Sequence, residues 1–193
     1  MRRSRMSKNI VILNGSPRKH GNTATLCDAF VEGAEAAGNH VTRFDLQTMN
    51  IHGCLGCMKG GKDPQSPCVQ KDDMALIYPA YKEADIVVLA SPMYYWGFSS
   101  QLKAAFDRLF AVAELDSEYR NPIKNCVLLM AAEGNTPENG KPVLDYYHTL
   151  LEQLGWHDLG SILAGGVLQI GDILKNGGHE ALKQAKELGA SLS

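Results

Sequence analysis

The chain has 193 residues, 45% hydrophobic and 21% charged, a size and mix that fit one soluble globular domain and argue against disorder. Nineteen Lys and Arg against 21 Asp and Glu give a formal charge of −2, which lends nothing to nucleic-acid binding. The longest apolar runs, at residues 86–90 and 127–132, fall far short of the roughly 18 to 20 residues that cross a bilayer, so no membrane span is expected.

The opening Met1-Arg2-Arg3-Ser4-Arg5 is followed by Ser7, Lys8 and Asn9 instead of an apolar stretch, so it is not read as a secretory signal. Residues 1–7 read as a frayed tail, with Met6 as a second possible start, on a single domain spanning 1–193. Five cysteines, an odd number, point to a reducing compartment and a cytoplasmic protein.

Short β-branched runs then alternate with segments of helical period, which predicts the α/β class, a parallel sheet between two helical layers. The first run, 9–13, ends in Asn14-Gly15-Ser16-Pro17, and a helix follows with Leu26, Phe30, Ala34 and Ala37 on one face until Gly38. Further strands are predicted at 40–46, 85–90, 125–132 and 159–163. Asp72 is placed to cap a helix through Met74, Ile77 and Tyr81, and Pro79 within it predicts a kink or break. Between the third and fourth strands Ser99 caps a helix whose Leu102, Ala105, Phe106, Leu109 and Phe110 form a core stripe, with Lys103 and Asp107 four apart. Helical patterns at 142–154 and 180–188 complete the set, and right-handed crossovers wind five strands into an open sheet.

The loop at 15–23 fails both common nucleotide fingerprints. Gly15 and Gly21 alone do not make a Gly-x-Gly-x-x-Gly turn, although Asp45 stands where its acidic partner would, and no Gly-Lys-Ser or Gly-Lys-Thr follows. It does concentrate anion-binding groups at a helix start, where unpaired N–H groups and the helix dipole favour a phosphate. Ser16, Asn22 and Thr23 add neutral donors and Arg18 a charged one. The plainer alternative is an ordinary turn with Asn22 as N-cap.

Gly15-Ser16-Pro17-Arg18 with Gly21-Asn22-Thr23, Asp72-Asp73-Met74, Ala84-Asp85, Ser91-Pro92-Met93-Tyr94, Gln101-Leu102-Lys103 and Asp107-Arg108, in that order, resemble the NADPH-dependent FMN reductase and iron–sulfur flavoprotein family. The resemblance spans about residues 8–110. It implies a flavodoxin-like three-layer sandwich with a five-stranded parallel sheet of order 2-1-3-4-5, FMN as prosthetic group, NADPH or NADH as co-substrate, and a homodimer or homotetramer. It assigns Ser16, Arg18, Asn22 and Thr23 to the phosphate, with His20 as a further candidate. Pro92, Met93, Tyr94, Tyr95, Trp96 and Gly97 would then border the isoalloxazine, offering backbone donors and aromatic surface, or else form a packed loop or subunit contact. The turn after the fourth strand, with backbone N–H groups at Glu133 or Gly134, is a candidate third wall that steadies charge on the reduced ring.

Residues 47–71 show little periodicity, and a loop of that length in a compact domain has work to do or is mobile. It carries Cys54, Cys57 and Cys68. Iron–sulfur members of the family hold a cubane cluster on four cysteines in this region; here the position expected for the third ligand is Gly60, so that set is incomplete. A Cys3His zinc site with His52, a metal-free relic and a Cys54/Cys57 dithiol remain open, with no metal as the leading reading. Cys27 and Cys126 read as buried, inert thiols.

The function expected from the resemblance is hydride transfer from a nicotinamide cofactor to FMN and on to a quinone, flavin, nitroaromatic or metal-ion acceptor. A flavodoxin-type electron carrier without nicotinamide activity is the alternative. No protein acid or base is assigned; Tyr94 and His52 are the nearest candidates.

Overall fold

The computed structural model describes residues 7–192, so the predicted tail and the second start at Met6 lie almost wholly outside the described residues. Five strands form one sheet: β1 (Asn9–Asn14), β2 (His40–Asp45), β3 (Ile86–Pro92), β4 (Asn125–Ala131) and β5 (His157–Ala164). All four pairings are parallel and the order is β2-β1-β3-β4-β5, the flavodoxin-like arrangement. Asn14 pairs with both Asp45 and Ala90, and Ala131 with both Pro92 and Ala164, so the loops after all five strands leave from one edge.

Six helices follow in chain order: α1 (Asn22–Ala36), α2 (Met74–Glu83), α3 (Ser100–Arg108), α4 (Phe110–Ala113), α5 (Pro137–Leu154) and α6 (Glu180–Ser191). Strand alternation sends Ile10, Ile12, Val88 and Leu129 against Phe30 of α1 and Ala185 of α6. Val11, Leu13, Leu89 and Leu128 go the other way, against Ile77 of α2, Leu102 of α3 and Tyr147 of α5. Both sheet faces are covered, which is why the central strands read as unbroken apolar runs. Among the described residues no helix is long and apolar enough to cross a membrane.

Several boundaries differ from expectation, and β3 and α6 each run two or three residues past their predicted ends. Pro79 neither ends nor splits α2, because the buried Ile77, Tyr78 and Tyr81 hold the helix against the sheet despite the missing donor. Helix α5 starts five residues before Pro142: Thr136 is the true N-cap, its Oγ1 accepting the Asn139 N–H at 3.3 Å, and Pro137 occupies the first turn, where a proline lacks only an orphan donor. β5 is longer than predicted by residues at both ends, because pairing with β4 carries it past its own apolar run. Phe110 is 37% exposed and leaves the core stripe, since the chain breaks after Arg108 and restarts as α4.

Candidate active site

The loop after β1 is fixed to its neighbours before any ligand is considered. Gly15 donates to the Ala90 carbonyl at 2.8 Å, and its own carbonyl accepts from Ser99 Oγ at 2.7 Å. Ser91 Oγ in turn accepts the Ser99 N–H at 2.8 Å, so the ends of β1 and β3 and the start of α3 form one hydrogen-bonded unit. A Cβ at residue 15 would stand 2.5 Å from Ser99 Oγ and 2.7 Å from Leu102 Cβ, which is why glycine occupies it. On the other side the buried Asn14 donates to Asp45 Oδ1 at 2.8 Å and accepts the Ser16 N–H at 3.2 Å. Arg43 Nε donates to the same Asp45 oxygen at 2.7 Å. Burial pushes the Asp45 carboxyl up, but the Asn14 and Arg43 bonds outweigh it and hold the group below its ordinary value.

Two adjoining cavities open at this edge. The inner one, about 160 Å³, is lined by Ser16, Arg18, Gly21, Asn22 and Thr23, by Pro92 to Tyr94, by Ala131 to Glu133, and by Val167 and Leu168. The outer one, about 390 Å³, is lined by Met93 to Trp96 and by Glu133, Gly134 and Asn139. Met93, Tyr94 and Glu133 belong to both. A larger concavity of about 1040 Å³ lies at the opposite end of the sheet, among residues 115–123 and 152–155, and holds none of these groups.

In the inner cavity Ser16 is locally engaged: its Oγ donates to the Arg18 carbonyl at 3.0 Å and accepts the Arg18 N–H at 3.2 Å. Thr23 is buried, and its hydroxyl has no partner among the described residues. The N–H groups of Asn22 and Thr23, in the first turn of α1, likewise donate to nothing described, so this turn keeps open donors and the positive end of a dipole. Arg18 places one guanidinium nitrogen on the Leu168 carbonyl at 2.8 Å, leaving the rest of the fork free.

Two predicted site residues behave differently. Asn22 is neither the N-cap, which is Gly21, nor a free donor: its Nδ2 donates to the Gln169 carbonyl at 2.9 Å and its Oδ1 accepts the Ile173 N–H at 3.3 Å. Its side chain ties α1 to the segment after β5. His20 is exposed and lines neither cavity, because the loop turns it outward ahead of Gly21.

The segment after β5 is the wall that sequence reasoning missed. Gly166 and Val167 donate to the Glu133 and Ala132 carbonyls, and Asp172 Oδ2 accepts the N–H groups of Leu168 and Gln169 at 2.9 and 2.6 Å. Lys175, then these two N–H groups, hold the Asp172 carboxyl down to about 2. The only sequence signal was Gly165-Gly166 followed by Gly171-Asp172 directly after a strand.

The aromatic loop after β3 is a two-residue turn. Tyr94 and Gly97 exchange backbone hydrogen bonds at 3.1 and 3.0 Å, while Tyr95 and Trp96 sit at φ of 47° and 57°. Left-handed conformations at two bulky residues cost about 1 to 2 kcal/mol each, and Tyr95, 97% exposed, recovers nothing by packing. Gly97 closes the turn without lining a cavity. Opposite it, the N–H groups of Glu133 and Gly134 donate to nothing described.

The cysteine loop lies elsewhere. His52, exposed, lines neither cavity, and its backbone is held by the buried Asp72–Arg108 pair: Arg108 reaches both Asp72 oxygens, at 2.7 and 3.0 Å, and the His52 carbonyl at 2.8 Å. Burial would raise the Asp72 carboxyl, but Arg108 and the His52 N–H hold it below the ordinary carboxylate value. Cys54, Cys57 and Cys68 line a small cavity with Arg108 and Glu114, and no three His, Cys, Asp or Glu residues converge as metal ligands among the described residues. The third cluster ligand has no room: Gly60 donates to Glu114 Oε1 at 3.1 Å, and a Cβ there would meet Glu114 Oε2 at 2.1 Å and the Pro67 carbonyl at 2.8 Å. A cubane on four thiols does not fit this loop. Cys27 and Cys126 are buried, and burial pushes both thiols up to about 12.

Comparison with known proteins identifies the family and agrees with the fold. Residues 8–166 match the family model for NADPH-dependent FMN reductase. An iron–sulfur flavoprotein of Archaeoglobus fulgidus is 30% identical over 179 residues, 93% of this chain and 76% of its own. Two solved structures share the fold. An NAD(P)H:quinone oxidoreductase from Methanothermobacter marburgensis has a TM-score of 0.77 at 21% identity, over 97% of this chain and 100% of its own. An FMN-dependent NADH-azoreductase from Bacillus anthracis, in complex with FMN, has a TM-score of 0.66 at 16% identity, over 94% and 97%. The chain belongs to the NADPH-dependent FMN reductase family. It is an NAD(P)H-dependent FMN oxidoreductase, with FMN as cofactor and NAD(P)H as co-substrate.

Proposed function

We propose, proceeding from that membership, that this chain holds FMN across the two adjoining cavities and reduces a small planar acceptor beside it. The observation that carries the reading is the division of labour between the cavities: open donors and a guanidinium line the inner one, aromatic rings and unpaired backbone N–H groups the outer one.

Ser16, Arg18, Thr23 and the first-turn N–H groups of α1 are the phosphate-binding set, with Asn22 fixing the wall beside them. Charge-assisted bonds from Arg18 contribute about 1.5 to 3 kcal/mol each when formed. Pro92 to Trp96 and the Glu133 and Gly134 N–H groups enclose the ring, and Tyr94 spans both compartments. When bound, FMN supplies the two-electron chemistry, taking hydride from the nicotinamide and delivering electrons to the acceptor. The protein's part is to orient the ring, leave one face open, and present backbone donors where negative charge grows. The exposed rings of Tyr95 and Trp96 favour flat acceptors, so that a quinone, a nitroaromatic or a free flavin stands ahead of a metal ion. Exposed Tyr95, Trp96, Leu168 and Ile170 around the cavities support assembly as a homodimer or homotetramer, and five unpaired cysteines support a cytoplasmic location.

Arg18→Ala combined with Thr23→Ala is expected to weaken FMN binding by about a hundredfold, from the loss of roughly 3 kcal/mol, without unfolding the apoprotein. Unchanged affinity in a fluorescence titration would remove the phosphate from this loop. Anaerobic NADPH titration of the FMN-loaded protein is expected to bleach the flavin absorbance at one equivalent; no reaction would leave a carrier in place of a reductase.

A further inference from the structure

Asn139, in the first turn of α5, lines the outer cavity beside Glu133 and Gly134. Its backbone N–H is engaged by Thr136 Oγ1, but its carboxamide is unspent. Oδ1 is buried and accepts no hydrogen bond, and Nδ2 donates none among the described residues. A buried amide oxygen without a donor is a standing cost, and proteins rarely keep one without a use for it.

Gly134 gives the carboxamide the space it occupies. A Cβ at residue 134 would come within 2.0 Å of Asn139 Oδ1 and 2.2 Å of its Cγ. The φ of Gly134 is not positive, so the nearness of the Asn139 amide, and not the backbone conformation, is what favours glycine there. The wall of the outer cavity thus carries an amide whose hydrogen bonds the protein itself does not use.

We infer that Asn139 is a cofactor-contact residue whose carboxamide hydrogen-bonds the pyrimidine edge of the flavin. That edge carries carbonyl acceptors and an imide donor, so an amide that turns end for end finds a partner either way. The inference rests on the ring occupying the outer cavity, as proposed above. A neutral amide donating to that edge favours the reduced, electron-richer ring, so it also tunes the reduction potential.

The test uses the full chain, with FMN titrated into the apoprotein, the potential of bound FMN measured by dye equilibration, and apoprotein unfolding followed thermally. Asn139→Ala is expected to weaken FMN about tenfold, lower the potential, and leave apoprotein stability unchanged or higher, since it removes an unpaired buried oxygen. Asn139→Asp, which keeps the shape and places a carboxylate at the same edge, is expected to lower the potential further. Affinity and potential unchanged in both variants would overturn the assignment, as would an apoprotein destabilised in step with the lost affinity, the mark of a purely structural role. If the Arg18 and Thr23 double variant loses FMN while the Asn139 variants bind normally, this inference fails and the phosphate reading stands. If the double variant keeps FMN while the Asn139 variants lose affinity and potential, the phosphate reading falls and the Asn139 contact stands.

Discussion

The loops after β1 and β2 leave adjacent strands at the same edge of the sheet, yet they are held in opposite ways. The first is short and is bonded into the strand ends on every side: to Ala90 and Ser99, to Asn14, and to the Leu168 and Gln169 carbonyls. The second runs for more than twenty residues and is anchored on helices, through Arg108 at the end of α3, Glu114 after α4 and Lys82 of α2. Rigid strand ends give the first loop a fixed set of open donors, whereas the second depends on a few distant side chains. A loop of the first kind suits a resident cofactor. The second kind keeps its thiols near one another without bringing them to ligand geometry.

The largest expected effect tests the anchor of the second loop. Arg108→Met would leave Asp72 buried and unpaired, and breaking such a pair costs about 3 to 5 kcal/mol, read as a lower denaturation midpoint in urea. The same pair sets an acid limb. The folded Asp72 carboxyl lies below its ordinary 3.8, so the stability it contributes is complete above that pH and is lost as the pH falls through the lower, folded value. In Arg108→Met that limb should vanish from the stability profile. A small change in midpoint would mean that the second loop has other supports.

Gly15→Ala tests the first loop. Its Cβ would press on Ser99 Oγ and on Leu102, and overpacking of this kind costs about 1 to 3 kcal/mol. Because the loop moves as a unit with the start of α3, FMN affinity should fall with stability. Loss of stability with full FMN affinity would separate the loop's packing from its binding role.

The smallest effect is expected at the aromatic turn. Tyr95→Gly relieves a left-handed strain and removes a ring that packs on nothing, so thermal stability should hold or rise, by at most about 1 kcal/mol. Turnover of a planar acceptor should decline. A stability loss beyond that margin would show that the ring supports the fold.

Much of this was legible in the chain alone. The apolar runs at β1, β3 and β4 and the stripe on α3 are local periodicities, and local patterns survive folding. The donor-rich stretch from Ser16 to Thr23 could be read because its groups are neighbours in sequence as well as in space. What could not be read depends on partners far apart along the chain: Asn22 bound to a segment some 150 residues away, and Glu114 filling the place of a missing thiol beside Gly60.

Sequence by itself therefore determined the α/β class, the strand succession and a donor-rich loop at a helix start, because hydrophobic period and helix-start chemistry are written within a few residues. Tertiary structure alone decided which donors stay open, which wall closes the cavity and where an amide is left unspent. Those outcomes turn on whether each polar group meets a partner across the fold, and spacing along a chain does not report who meets whom.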